Sequence, residues 1–219
     1  MTPYPLGRLK VHDERSRAFA LAPVALPTKT VLHNRRLPIF DQGSLGSCTA
    51  NAALGMLCTG PLDIGKSWTE KDAVDFYSAE TVVDDSMGIP GRYPPTDTGS
   101  CGLASMKVAQ QRGWITSYRH AFSVTTLLGW LGRQPASIGI PWLESMFAPA
   151  PGTAVLRVDR RSAVAGGHQV CVDGIDPKRS MVRIANSWGD WGDGGRAWLR
   201  YDDLAWLLKQ GGDAVTATL

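Results

Sequence analysis

The feature that most constrains the fold is a change of pattern near Trp114. Ahead of it apolar residues recur at helical spacing, and after it the chain breaks into short β-prone runs between turn residues. The spacing predicts helices over 48–57, where Ala, Leu and Met favour helix, and over 70–81, where Ser67 or Thr69 is placed to cap. A third is expected over 103–112, stopped by Gly113, and a short fourth over 124–131. Strand-like runs follow at 136–140, 154–158, 168–174, 181–185 and 195–200. Helices followed by strands imply an α+β arrangement of two lobes with a cleft between them. The expected units are an extended N-terminal arm over 1–35, a helical lobe over 36–120 and a β-rich lobe over 121–219. The arm is rich in charge and proline and shows little periodicity before Val31, so it is expected to lie over the surface.

A chain of 219 residues, 43% of them hydrophobic, can bury one large core or two small ones. Its 23 basic and 20 acidic residues are scattered, without the basic stripe that a nucleic-acid partner requires. No stretch approaches the roughly 20 apolar residues of a membrane span, and the opening ten residues lack the apolar core of a secretory signal. The expectation is a soluble, monomeric or weakly associating protein, cytoplasmic where it is made, with virion association or release as variants of that reading. Cys48, Cys58, Cys101 and Cys171 are far apart and form no C-x-x-C pair, which argues against structural zinc and a disulfide framework. Asp190 and Asp193 are too few carboxylates for a calcium loop. No metal and no organic cofactor are expected.

One cysteine stands apart. Cys48 opens a predicted helix directly after a glycine-containing loop, where unpaired backbone N–H groups and the helix dipole favour a thiolate. A thiolate nucleophile needs a proton donor for its leaving group, and a histidine supplies one near neutral pH. Of His12, His33, His120 and His168, the last has the best context. Gly166 and Gly167 permit close backbone approach, and Gln169-Val170-Cys171-Val172 reads as a buried strand that would hold the ring. Asn186, at the end of the 181–185 run and just before Ser187-Trp188-Gly189, can fix the imidazole tautomer without adding charge.

These residues resemble the papain-like cysteine peptidases. The run Gln42-Gly43-Ser44-Leu45-Gly46-Ser47-Cys48-Thr49-Ala50 looks like that family's nucleophile segment. Gly167-His168-Gln169-Val170 and Ile184-Ala185-Asn186-Ser187-Trp188-Gly189-Asp190-Trp191-Gly192 look like its histidine and asparagine segments, in the family's order. The resemblance covers about residues 35–202 and implies a helical left lobe carrying the nucleophile and a β-barrel-like right lobe carrying His168 and Asn186. It implies that Cys48 attacks a peptide carbonyl, that His168 moves the proton, and that Gln42 and the Cys48 backbone N–H bind the oxyanion. It further implies that Trp188 shields the His168–Asn186 bond. Aligning Gly113 with a helix-ending glycine of the family puts Gly99 and Ser100 on the wall that pairs with substrate backbone. Cys101 and Gly102 then fall near the pocket for the substrate residue one position before the scissile one, and Gly167 also faces substrate.

The chain departs from the family at Thr49, where an aromatic residue is usual, and at Leu45, where a cysteine normally forms a disulfide. The second departure fits a reducing compartment. The residues ahead of Leu37 are too few for the family's full prosegment, although Met1 to Pro27 can cross the cleft as a short lid. Short forms of this kind resemble bacterial and bacteriophage members. The expected activity is hydrolysis of peptide bonds in extended polypeptides through an acyl-enzyme. The alternatives are an acyltransferase or peptidoglycan cross-bridge hydrolase on the same scaffold, and a silent papain-fold binding or assembly protein. Cys58, Cys101 and Cys171 are read as ordinary buried thiols, and Trp191, Trp198 and Trp206 as packing residues.

Overall fold

The computed structural model describes residues 3–219. Its helices are α1 (Cys48–Leu57), α2 (Glu70–Ser86), α3 (Gly102–Gln111), α4 (Val124–Leu131), the irregular turn α5 (Trp191–Gly194) and α6 (Tyr201–Lys209). Its strands are β1 (Val31–Leu32), β2 (Ser117–His120), β3 (Ala136–Leu143), β4 (Val164–Asp176), β5 (Met181–Ala185), β6 (Arg196–Arg200) and β7 (Asp213–Thr218). The strands make one antiparallel sheet in the order β2-β7-β3-β4-β5-β6, with β1 added to β4. The sheet is open, since β2 and β6 at its ends do not pair, which corrects the expectation of a barrel-like lobe.

All ten residues of α1 are buried, and this explains its composition of small and apolar groups. The helix packs against β4 on one side and α2 and α3 on the other. The start of α2 is fixed by Asp72, whose carboxylate accepts from the Thr69 backbone N–H at 2.8 Å and the Thr69 hydroxyl at 2.7 Å. Burial of Val83 and Asp84 accompanies the continuation of this helix five residues past the predicted end, to Ser86.

Strand β4 organises the second half. Alternate side chains go to opposite faces, so Val170 and Val172 enter a core with Ile138, Ile140, Trp142 and Ile184. Cys171 enters the other core with Leu54, Met56 and Phe76. A bulge between Val172 and Gly174 turns Asp173 towards Arg183 and Arg196, which donate to its two oxygens at 2.7 and 3.0 Å. The run at 154–158 is not a strand. Ala154 has a φ of 52° after the Pro151-Gly152 turn, and only Val155 makes a bridge, to Trp198.

The arm is less superficial than its composition implies. Residues 14–19 form a 3-10 turn, Val31 and Leu32 pair with β4, and Arg8, Leu21 and His33 are buried. Met1 and Thr2, part of the expected lid, lie outside the described residues. Among the described residues no helix is long and apolar enough to cross a membrane.

Candidate active site

Cys48 is the first residue of α1, with Ser47 as the residue that precedes the helix. The loop ahead of it is held from two sides. Asp97 accepts from the Gly46 backbone N–H at 2.8 Å and from the Tyr77 hydroxyl at 2.6 Å, and that hydroxyl in turn accepts from the Gly99 N–H at 2.8 Å. The loop before the cysteine is thereby tied to the glycine wall. Neither Asp97 nor Tyr77 carries a sequence signal for this role.

Gln42 reaches the same place from the turn before. Its backbone N–H donates to the Ser187 carbonyl at 2.9 Å, and its side-chain oxygen accepts from the Ser187 hydroxyl at 2.6 Å. Its side-chain amide donates one N–H to the Leu45 carbonyl at 2.7 Å. An amide NH2 has two protons, so one donor remains.

His168 lies on β4 opposite Ile140 of β3 and is fully buried. Its Nε2 lies 2.7 Å from Asn186 Oδ1, which also accepts from the Ser187 backbone N–H at 2.8 Å. That second donor fixes the amide with its oxygen towards the ring, so Nε2 carries the proton and Nδ1 is left bare. Nδ1 is buried and has no hydrogen-bond partner. Trp188 stacks on the imidazole at 4.5 Å between ring centres and 23° between planes, and Trp142 meets it edge-on at 4.9 Å. The ring therefore has one orientation. Trp191 belongs to the same aromatic cluster and donates its indole N–H to the Phe147 carbonyl at 2.7 Å.

The arm runs through this site. Tyr4 stacks on Trp188 at 4.5 Å and 8°, and Leu6 sits against Gly166. Arg8 then pairs in parallel with Ser100: the Ser100 N–H donates to the Gly7 carbonyl at 2.8 Å and the Leu9 N–H donates to the Ser100 carbonyl at 2.7 Å. On the opposite wall the Arg8 N–H donates to the Gly167 carbonyl at 3.0 Å. A methyl on Gly7 would fall 1.8 Å from the Gly46 carbonyl oxygen, and one on Gly99 would fall 2.2 Å from the Gly7 oxygen, so both positions need glycine for this approach.

Of the residues expected to face substrate, Gly99, Ser100 and Gly167 all meet the arm's backbone, and Trp188 meets Tyr4. Gly102 lies beside the side chains of Gln169 and Asp213. Cys101 is buried in the core of the helical half, where its sulfur donates to Asp84 at 3.3 Å.

Burial pushes the Cys48 thiol up to about 11, against a smaller opposing pull from the nearby Gln169 and Gly7 backbone. Burial also lowers the His168 imidazole to about 4, although its bond to Asn186 acts the other way. Both shifts favour the neutral thiol and the neutral imidazole in this buried site.

No protein-family model and no curated relative matches the chain. Solved structures do. The chain superposes on xylellain, a cysteine protease from Xylella fastidiosa, with a TM-score of 0.73 at 20% identity, over 100% of this chain and 97% of that one. It superposes on procathepsin L2 from the larval midgut of Tenebrio molitor at 0.70 and 14% identity, over 100% and 81%. On the bromelain protease of Ananas comosus in complex with the E64 inhibitor the values are 0.57 and 13%, over 88% and 100%. The fold is the papain-like cysteine protease fold, and among the structures that share it xylellain is similar in length as well as in shape.

Proposed function

We propose that the chain is a papain-like cysteine peptidase held in a latent state by its own N-terminal arm. The observation that carries the reading is the fixed ring of His168. Asn186 and Trp188 orient it so that a bare, buried Nδ1 is left for a thiol, and Cys48 lies at the head of the helix that packs against His168's strand. Cys48 attacks the carbonyl carbon of an extended peptide, and His168 takes the thiol proton and gives it to the leaving amine. The same imidazole then activates water against the thioester. The free N–H of Gln42 and the backbone N–H of Cys48 stabilise the oxyanion. Residues 36–120 form the lobe that carries Cys48, and 121–219 the lobe that carries His168 and Asn186.

The arm is not a substrate in this pose. The Gly7 carbonyl is engaged by the Ser100 N–H at 2.8 Å, so it is held against the glycine wall and not presented to the thiol. Fluorogenic peptides given to the intact chain and to Arg8→Ala test the reading. Hydrolysis is expected from Arg8→Ala, far less from the intact chain, and none from Arg8→Ala with Cys48→Ala; equal turnover with and without Cys48 contradicts it.

A further inference from the structure

Arg8 does more than bridge the walls. Its side chain leaves the paired backbone and enters a pocket between β3 and the start of β7, where only 2% of it is exposed. There Nε donates to Asp213 at 3.1 Å, Nη2 donates to the same carboxylate, and Nη2 also donates to the Gly211 carbonyl at 3.0 Å. Glycine makes the room: a methyl on Gly139 would fall 2.1 Å from Arg8 Nε. That point is also 2.5 Å from Gln169 Oε1, which is buried and has no hydrogen-bond partner. The Gln169 amide is oriented by donating its Nε2 proton to the Ser137 hydroxyl at 2.9 Å, which leaves the acceptor aimed at the pocket. Gly102 closes the other side, within 3.2 Å of Asp213 Oδ1 at its would-be methyl. A carboxylate, a backbone carbonyl and an orphaned amide oxygen thus converge on one cavity with glycine walls. All three are acceptors, and a guanidinium supplies only donors.

We propose that this pocket is a substrate subsite for an arginine side chain and that Asp213 sets its specificity. The inference rests on the peptidase reading above. The pocket opens from the channel in which Ser100 and Gly167 pair with a peptide backbone, next to Gly7 at the Cys48 loop. Any extended peptide that takes the arm's place presents a side chain to it within a residue or two of the reacting carbonyl. Arg8 holds the arm down by occupying the site that selects substrates. Lysine reaches Asp213 but brings a single ammonium centre to a set of acceptors spread over three groups, so it ranks second.

The test uses the full-length Arg8→Ala chain, which leaves the pocket free, and hexapeptides identical except for Arg, Lys, citrulline or Leu at one position, scanned along the peptide. At one position kcat/KM is expected to fall in the order Arg, Lys, citrulline or Leu, with Arg favoured over citrulline by roughly thirtyfold. Asp213→Asn is expected to collapse the Arg-to-citrulline ratio to within about threefold. Hydrolysis without an Arg preference at any position, or a preference that survives Asp213→Asn, overturns the subsite while leaving the peptidase reading intact. If no peptide is cut, the peptidase reading fails, and calorimetric titration of the Arg and citrulline peptides into the Arg8→Ala, Cys48→Ala chain decides the subsite separately. Roughly tenfold tighter binding of the Arg peptide supports it, and equal or undetectable binding overturns it.

Discussion

The hydroxyl of Ser187 donates to the side-chain oxygen of Gln42 at 2.6 Å, across 145 residues of sequence. The bond joins the turn that follows β5 to the loop that precedes Cys48, and it aims the Gln42 amide. Ser187→Ala leaves that oxygen buried without its donor and lets the amide rotate. In the Arg8→Ala background, kcat is expected to fall about tenfold with little change in KM, because the lost alignment matters most when charge develops on the carbonyl oxygen. Gln42→Ala is expected to cost more, about a hundredfold or above. A Ser187→Ala effect confined to KM contradicts the oxyanion role.

Tyr4 is the outer clamp of the arm. Its ring lies nearly parallel to Trp188 and also stacks on Phe147. Aromatic pairs of this kind contribute about 0.5–1.5 kcal/mol beyond area burial. Tyr4→Ala is therefore expected to raise the rate of Cys48 alkylation in the intact chain by roughly 2- to 13-fold. Unchanged alkylation contradicts the arm as the barrier to the thiol.

Acid is expected to loosen the arm. Burial holds His168 at about 4 in the covered state, against an ordinary value of 6.5. Between those values the uncovered state binds a proton that the covered state does not, so the arm's stability is full above 6.5 and falls as pH drops towards 4. The Arg8 and Leu9 amides, bonded to Gly167 and Ser100, report on this. Their hydrogen-exchange protection factors are expected to fall between pH 7 and 5, and constant protection over that range contradicts the sign.

Glu80 gives a second pH effect with the opposite sign. It is fully buried on α2, accepts from the Thr49 hydroxyl at 2.6 Å, and is pushed up to about 8, chiefly by burial. The unfolded chain ionises this carboxyl near its ordinary 4.5, so it binds fewer protons than the folded chain from there to about 8, and stability falls over that interval. Glu80→Gln keeps an acceptor for Thr49 and removes the titration. Its melting temperature is expected to fall less between pH 5 and 8 than that of the parent, by about 5–10 °C.

Much of this architecture is legible locally. The run from Cys48 reads as a helix because small and apolar residues fill every face, and β5 is found where predicted because Met181–Ala185 is short, β-prone and bounded by turns. The misread segment 154–158 has β-prone side chains on a backbone that the preceding turn places elsewhere. Helix α6 carried two readable signals, Asp202 and Asp203 in its first turn and Leu204 with Leu207 and Leu208 at helical spacing. The motif residues around His168 and Asn186 were visible because each sits in a short distinctive run. The Arg8 pocket was not, since Arg8 and Asp213 are 205 positions apart and neither neighbourhood signals the other. The upward shift of the Cys48 thiol was also out of reach, because it follows from burial by residues distant in sequence.

The measurement closest to the central claim is covalent labelling of full-length Arg8→Ala with an epoxide inhibitor of papain-like peptidases, read by intact mass and peptide mapping. A single adduct on Cys48 is expected, absent after Cys48→Ala, strongly slowed after His168→Ala, and much slower in the intact chain. Equal labelling of Cys58, Cys101 and Cys171, or labelling of Cys48 that is indifferent to His168, would contradict an activated nucleophile behind the arm.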